Sequence, residues 1–385
     1  MTIVIDIVTN GRSGAPPPYP LPQPDQSGIA AGQRPRREKR NLKEVSSMKA
    51  IQSIKAIQYR AYGAYAENSF VDLPAPAAND GQVLVRMHTV GINPLDNTFR
   101  SGQHYAATPE NLPRVGGQMG AGVVVETKSP NFKVGDRVFV TGPGFGVIAD
   151  GTWRELVAAP AAGLMPIPSH VDDDHAAAFL AGAGYLTGYL VLTEFVAFKP
   201  GQSVLAPGIG GAVGMESVQI ARQLGASLAI STASTRAKAE KAHAAGYEHV
   251  IDLSRESVRD GVMRLTGGKG VDVIIDGVGG KLTGEALGCL LPGGTYAVVG
   301  YAGGREASVN LTDIIWKAAK VRGFTFRAFA PETLAAAQKT LIAYLSEGAI
   351  QPTIAKVFPL SDAADAVRHL IEDRPFGRVL MRVGE

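Results

Sequence analysis

The chain has 385 residues, 45% hydrophobic and 19% charged, with a formal net charge of +3. That length fits two lobes of ordinary size and that composition supports a sizeable core, so disorder throughout is excluded. No stretch approaches the roughly 18–20 uninterrupted apolar residues of a membrane span, and the single cysteine, Cys289, excludes a disulfide framework and a thiolate metal cluster.

Residues 1–47 differ in composition from the rest of the chain. Ala15–Pro24 holds six prolines, which favour extended polyproline II over helix, and Arg34–Lys43 is a short charge run. Seven basic and four acidic side chains fall in this segment and account for the whole net charge. The remainder is formally neutral and offers no basic face for nucleic acid. Thr2–Val8 is apolar but lacks a basic flank and is broken by Asp6, which argues against a secretory signal. A transit peptide and a polyanion-binding Arg34–Arg40 are the minor readings. The favoured one is a disordered extension, with the working chain starting at Met48.

From Met48 the pattern turns to short strands. Gln82–Val90, Gly122–Glu126 and Arg137–Val140 are β-rich, with Gly, Pro and Asp between them, and predict a compact β lobe over 48–172. After Asp172, helical segments alternate with wholly apolar strands: Ser203–Ala206, Leu228–Ser231, Val271–Asp276 and Thr295–Gly300. Strands without alternation, separated by helices, indicate a doubly wound parallel sheet over 173–315. Beyond Trp316 come β-like Val321–Arg327, a helix through Glu332–Glu347 and a final strand Arg378–Val383, read as a return to the first lobe over 316–385. The fold class is α/β.

The strongest chemical signal lies between Ser203 and Gly214. A strand ends, Gly208, Gly210, Gly211 and Gly214 make a turn, and a helical run opens through Ala212 and Val213. Glycine permits the tight turn and close approach of backbone to a pyrophosphate, and the helix N-terminus offers free N–H groups and the positive end of its dipole. The spacing is G-x-x-G-x-x-G, not strict G-x-G-x-x-G, so an ordinary glycine-rich turn is the alternative. Its place between two β-α units favours a dinucleotide site. Gly300, closing the fourth apolar strand, joins the cofactor set.

Nineteen residues past Gly214, where NAD-preferring sites usually carry an acid for the ribose hydroxyl, stands Ala233. Ser234, Arg236 and Lys238 lie just beyond it. Hydroxyls and cations without an acid suit a 2′-phosphate, so NADPH is expected as cofactor. The alternative for this segment is a solvated helix start, with Ser234 or Thr235 as its cap.

Several motifs occur in a specific order: Gly91–Asp96 with Arg100–Gly102, Gly120–Val124, Val134–Val138, Leu186–Tyr189, the glycine turn and Asp276–Gly279. Together they resemble the zinc-independent medium-chain dehydrogenases/reductases of the quinone oxidoreductase, or zeta-crystallin-like, type from Met48 to the C-terminus. The resemblance implies a GroES-like β-rich catalytic lobe, an inserted Rossmann lobe and an active site in the cleft between them. It also shows departures. Zinc-bearing relatives need Cys or His ligands, and in Gly182–Tyr189 Ala183 stands where their cysteine would be, so no metal is expected. Met119 replaces a frequent acid, Thr98 an occasional tyrosine and Leu253 a frequent tyrosine near the cofactor.

By the same resemblance Asn93 and Thr187 fall near the nicotinamide, with Asp96 close behind. Asn93 is a donor to a developing enolate oxygen or simply a turn residue before Pro94. Asp96 is a proton relay or a helix-start carboxylate, and Thr187 a ligand of the carboxamide or a helix-start hydroxyl. His104 and Tyr105 either reach the cleft as proton donors or form a surface pair. Phe324, Phe326 and Phe329 wall a planar ring or pack the core. Serine hydrolase chemistry is set aside because no G-x-S-x-G elbow occurs. Cys289 is read as inert.

The expected activity is NADPH-dependent reduction of quinones, or of the C=C bond of α,β-unsaturated carbonyls, by hydride transfer without metal. The rivals are a 2-enoyl thioester reductase and a non-enzymatic scaffold that binds cofactor or nucleic acid. The expected partners are a small quinone or enone substrate and a second copy of the chain joined through the Rossmann lobe, with neither nucleic acid nor membrane. A cytoplasmic location is expected.

Overall fold

The computed structural model describes residues 52–384 apart from Pro143 and Gly182; the extension expected over 1–47 lies outside that range. Its first part is built from the short β-rich runs. Strands β1 (Ser53–Tyr59), β2 (Ser69–Pro74), β3 (Gln82–Ile92), β4 (Arg114–Val115), β5 (Met119–Thr127), β6 (Arg137–Thr141), β7 (Leu156–Pro160) and β8 (Leu164–Pro166) precede the long helical region. β2, β1 and β4 form a small antiparallel sheet. A larger sheet joins β3 and β5–β8 to two strands from the far end of the chain, β15 (Ile354–Pro359) and β16 (Arg378–Arg382). Val83, Val85, Met87, Val138, Val140 and Trp153 fill one side of it. Helix α1 (Pro94–Arg100) leaves the end of β3, and α2 (Asp173–Leu180) packs across β3 and β5.

The second part carries a six-stranded parallel sheet: β9 (Ser203–Leu205), β10 (Leu228–Ala233), β11 (Val250–Asp252), β12 (Val271–Asp276), β13 (Leu290–Val298) and β14 (Lys320–Gly323). Helices α3 (Gly184–Leu190), α4 (Ala212–Gln223) and α5 (Arg236–Ala244) belong to its first half. Buried Val204, Leu205, Ile230, Ile274 and Ile275 make its strands apolar on both faces, as a helix-covered sheet requires. The strand order is β11-β10-β9-β12-β13-β14, so the winding reverses between β9 and β12. A crevice at the carboxyl ends of these two strands is where such sheets hold dinucleotides.

Three expectations need correction. β14 still pairs with β13, so the parallel sheet runs past 315 and the chain rejoins the first sheet only at β15. Helix α2, expected in the second lobe, packs on strands of the first. Of β-like Val321–Arg327 only the part through Gly323 is strand, because Phe326–Ala328 closes into a 3-10 turn capped by Thr325.

The two parts are tied at the glycine turn. The Gly377 N–H donates to the Gly210 carbonyl at 3.3 Å. Arg378 at the start of β16 pairs with Glu216 of α4, both buried. Among the described residues no single helix is long and apolar enough to cross a membrane.

Candidate functional site

The turn between β9 and α4 is shaped by its own backbone. Gly208 takes φ +86°, where only glycine is comfortable, and its N–H donates to the Thr232 hydroxyl at 3.1 Å. A Cβ on Gly214 would lie 2.3 Å from the Gly208 carbonyl oxygen, so that glycine lets the helix close on the turn. Gly210 and Gly211 differ. A Cβ there would meet nothing nearer than 3.4 Å, so no neighbour in the protein demands glycine. Pro375, Phe376 and Lys238 stand at ordinary contact distance around Gly210 and complete a cradle with the turn. Helix α4 starts at Ala212 with Gly211 as an N-cap that has no side-chain bond, leaving the leading N–H groups available to an anion. This donor set and clearance fit a dinucleotide pyrophosphate.

Beside the cradle, β10 ends at the buried Ala233, and Thr235 rather than Ser234 caps α5, accepting from the Lys238 N–H. Lys238 is half-buried, its Cδ 3.8 Å from where a Gly210 Cβ would stand. Partial burial, then the charges of Arg374 and Lys241, hold its ammonium below the ordinary lysine range. Arg236 points elsewhere, paired with Glu240 at 2.8 Å on the exposed face of α5. The three polar residues expected to grip a 2′-phosphate are thus split, with Lys238 over the turn, Arg236 engaged and Ser234 exposed. Two features were not foreseen. Arg374, left-handed at φ +47° and 164 positions beyond Gly210, adds a second cation near Lys238. Asp252, in register with Ala233 on β11, is occupied by the Ser254 N–H and hydroxyl and faces Arg236 and Arg255, all of which hold its carboxyl below the usual range.

On the other side of the reversal, β12 ends in Asp276, fully buried and fully satisfied. It accepts from the Val278 and Gly279 N–H groups and from the Thr283 and Tyr296 hydroxyls at 2.7–2.9 Å. This fixes the Gly277–Gly280 loop. Gly300 packs on it, a Cβ there lying 2.7 Å from the Gly277 carbonyl oxygen, while its own N–H donates to the Asp276 carbonyl.

The facing wall comes from α1. The Asn93 side-chain oxygen accepts the Leu95 and Asp96 N–H groups, and Asp96 Oδ2 accepts the Asn93 N–H at 2.9 Å, a reciprocal cap on a proline-started helix. Both alternatives drawn from the sequence meet here. The Asn93 oxygen is structural, and its amide Nδ2–H₂ is what remains to donate. Asp96 also accepts from Gln118 at 3.1 Å, yet full burial pushes its carboxyl up to about 7. Asn93 and Asp96 are therefore one unit. Thr187 stands apart, buried in α3, its N–H on the Ala183 carbonyl at 2.9 Å. The chain brings its segment close nonetheless, since a Cβ on Gly91, two residues before Asn93, would lie 2.7 Å from Ala181 Cβ. Ala183 takes φ +50°, a left-handed conformation that costs a non-glycine residue about 1–2 kcal/mol.

His104 and Tyr105 are in contact, their ring centroids 4.2 Å apart, and Tyr105 accepts from Arg327 at 2.9 Å. Phe324, Phe326 and Phe329 form one cluster, with Phe324 also edge-on to Phe195 and packed against the main core. Leu253 joins the apolar cluster behind the sheet, Met119 begins β5, and Thr98 bonds back to the Pro94 carbonyl. Cys289 is enclosed and its thiol is pushed up to about 11 by burial.

Two family models match. One described as "Alcohol dehydrogenase GroES-like domain" covers residues 79–169, and one described as "Zinc-binding dehydrogenase" covers 212–342. The metal in that second description finds no fitting donors: the chain has one cysteine, and among the described residues no three His, Cys, Asp or Glu side chains gather for an ion. The rat "Synaptic vesicle membrane protein VAT-1 homolog" is 31% identical over 84% of this chain and 82% of its own length. A "Quinone oxidoreductase" of Pseudomonas aeruginosa is 33% identical over 84% of this chain and 98% of its own. The crystal structure of a Pseudomonas syringae quinone oxidoreductase superposes with a TM-score of 0.73 at 33% identity, covering 86% of this chain and 99% of that one. A GroES-like lobe of antiparallel strands, a Rossmann sheet wound about a glycine turn and these likenesses lead to one conclusion: the chain belongs to the medium-chain dehydrogenase/reductase family, oxidoreductases that depend on a nicotinamide cofactor.

Proposed function

We propose that this protein is an NADPH-dependent reductase of quinones, or of the C=C bond of α,β-unsaturated carbonyls, that works without a metal. The observation that carries the reading is the cradle over Gly210 and Gly211, flanked by Lys238 and Arg374 and with Ala233 where an acid would favour NADH. The reduced nicotinamide, when bound, supplies the hydride. The protein's own groups do the rest. Helix α4 and the turn Gly208–Gly214 hold the pyrophosphate, with Gly300 beside the far half. Lys238 holds the 2′-phosphate, aided by Ser234 and, once released from Glu240, by Arg236. Thr187 orients the carboxamide, the Asn93 amide donates toward the acceptor's oxygen, and Asp96 keeps Asn93 in place.

The reading includes a small-molecule acceptor, no nucleic-acid or membrane partner, a cytoplasmic location and pairing of two copies through the Rossmann lobe. Pairing is supported by the edge strand β14, all four of whose residues are exposed, and by Trp316 beside it, 81% exposed. The test is NADPH oxidation by the full-length protein with a panel of quinones, enones and alcohols, run again with NADH and with a chelator. Turnover with quinones or enones, faster with NADPH and indifferent to chelation, is the expected result. Silence toward every acceptor, or loss on chelation with zinc present in stoichiometric amount, would refute it.

A further inference from the structure

The carboxyl ends of β12, β13 and β14 carry the half of the crevice beyond the reversal of winding, and the segment after β14 reaches Arg327 there. Arg327 forms no ion pair with a carboxylate among the described residues. Its guanidinium donates instead to the Tyr105 hydroxyl, which belongs to the loop after α1 in the other lobe. That bond ties the loop carrying His104 to the segment after β14. The imidazole lies between two rings, Phe99 at 4.0 Å and Tyr105 at 4.2 Å between centroids, which fixes its plane.

Its proton is fixed as well. Nδ1 accepts the Ala106 N–H at 3.1 Å, and an amide can only donate, so the ring proton resides on Nε2. Partial burial and the neighbouring Arg327 charge hold His104 below its ordinary range, in the neutral state. Among the described residues nothing accepts from Nε2. A half-exposed ring, locked in plane and tautomer and with an unused N–H, is built to meet something the protein does not supply.

We propose that His104 is a further catalytic residue whose Nε2–H hydrogen-bonds the carbonyl oxygen of the acceptor, with Arg327 adding fixed positive charge beside it. The proposal rests on the reductase reading above. Hydride adds to the electrophilic carbon of the enone, the C=C π pair shifts toward the carbonyl, and the oxygen gains the negative charge as the enolate forms. The nicotinamide is oxidised and the acceptor reduced. His104 keeps its proton and stabilises the oxyanion, and solvent protonates the α-carbon. Neutral imidazole acting as a donor to a developing enolate is a known way to do this without a metal.

The test compares His104→Phe, which keeps the ring stack and removes the donor, with His104→Gln, which loses the stack and restores an N–H donor. The full-length enzyme is assayed with NADPH and an uncharged enone, and NADPH affinity is titrated separately. H104F should lower kcat by about 10- to 100-fold, less than a fully enclosed oxyanion donor because the site is half-open. NADPH affinity should stay within about twofold, and H104Q should regain about tenfold of the lost rate. If H104F turns over within about threefold of the parent, or if H104Q is as impaired as H104F with both melting early, the ring is only packing and the proposal falls. A parent enzyme silent toward all quinones and enones overturns the reductase reading, and this role with it. A working parent with an indifferent H104F overturns the role alone.

Discussion

The glycine turn after β9 and the wall running from α1 to the loop around His104 are the two parts of the proposed site, yet they are held by opposite means. In the turn the backbone decides almost everything. Gly208 needs its positive φ, Gly214 needs to lack a Cβ, and the fixing bonds come from the neighbouring strand β10. In the wall side chains decide. Asn93 and Asp96 cap each other, Gln118 reaches in from before β5, and His104 is set by two rings and by an arginine more than two hundred residues away. The first kind of site tolerates no added atom at Gly208 or Gly214, whereas the second depends on charge state and partners. The two should respond differently to pH and to single substitutions.

The largest expected difference lies in Asp96. Burial raises its carboxyl from 3.8 to about 7, so the folded protein holds a proton there that the unfolded chain has released above about pH 4. Its stabilising share is complete below about pH 4 and is lost as pH rises through about 7. On that window the loss is on the order of 3 kcal/mol. Urea unfolding of the parent at pH 4.5, 6 and 7.5 should show stability falling. In Asp96→Asn the fall should be about half as steep, with Glu216, also raised to about 7 by burial, supplying what remains. Equal slopes in the two proteins would show that Asp96 is not the source. The turn, which contains no titrating group, should contribute nothing to either slope.

A smaller effect separates two glycines within the turn. Gly214→Ala sets a methyl 2.3 Å from the Gly208 oxygen and 2.5 Å from that of Pro207, which should cost about 1–3 kcal/mol of stability and displace α4. Gly210→Ala meets nothing nearer than the Pro375 oxygen at 3.4 Å and should melt within about 0.5 kcal/mol of the parent. Its damage should appear only in cofactor binding, where the methyl occupies the cradle. Thermal melts and cofactor titrations on the two variants check this. If G210A unfolds as early as G214A, the space over Gly210 is part of the packing and not a ligand's.

This contrast also explains what could be read from sequence. The turn was legible because its chemistry is local: strand, glycines and helix come one after another within a dozen residues, and Ala233 lies one β-unit on. The apolar strands of the parallel sheet were legible for the same reason. The wall was not. Nothing near His104 in the sequence announces Arg327, and Arg374 is an ordinary residue until its helix ends beside Gly210. Arg236 looked like a phosphate ligand from its position, but its geometry is set by Glu240 one helical turn on. The boundary at 315 failed because β14, with all four residues exposed, has the composition of an edge strand and not of the apolar strands before it.

The smallest effect concerns cofactor choice, where a feature legible in sequence meets one that was not. Lys238 and Arg374 lie close enough for each to feel the other's charge, and that mutual repulsion is part of what lowers Lys238. A phosphate dianion between them would relieve it. The pair should therefore act cooperatively, each cation contributing less alone than with its neighbour present. Both are partly solvated, so the loss per cation is about one decade in kcat/KM for NADPH, or roughly 1.4 kcal/mol. Lys238→Ala and Arg374→Ala should each raise KM for NADPH about tenfold and leave NADH within about twofold, and the penalty should shrink as salt is raised. Arg236→Ala should do less, because Glu240 already holds that guanidinium. The double variant decides the mechanism. A loss smaller than the product of the single losses means that the two cations share one phosphate. A strictly multiplicative loss means that they serve different parts of the cofactor, and an unchanged NADPH preference in all four variants would move the 2′-phosphate to another place altogether.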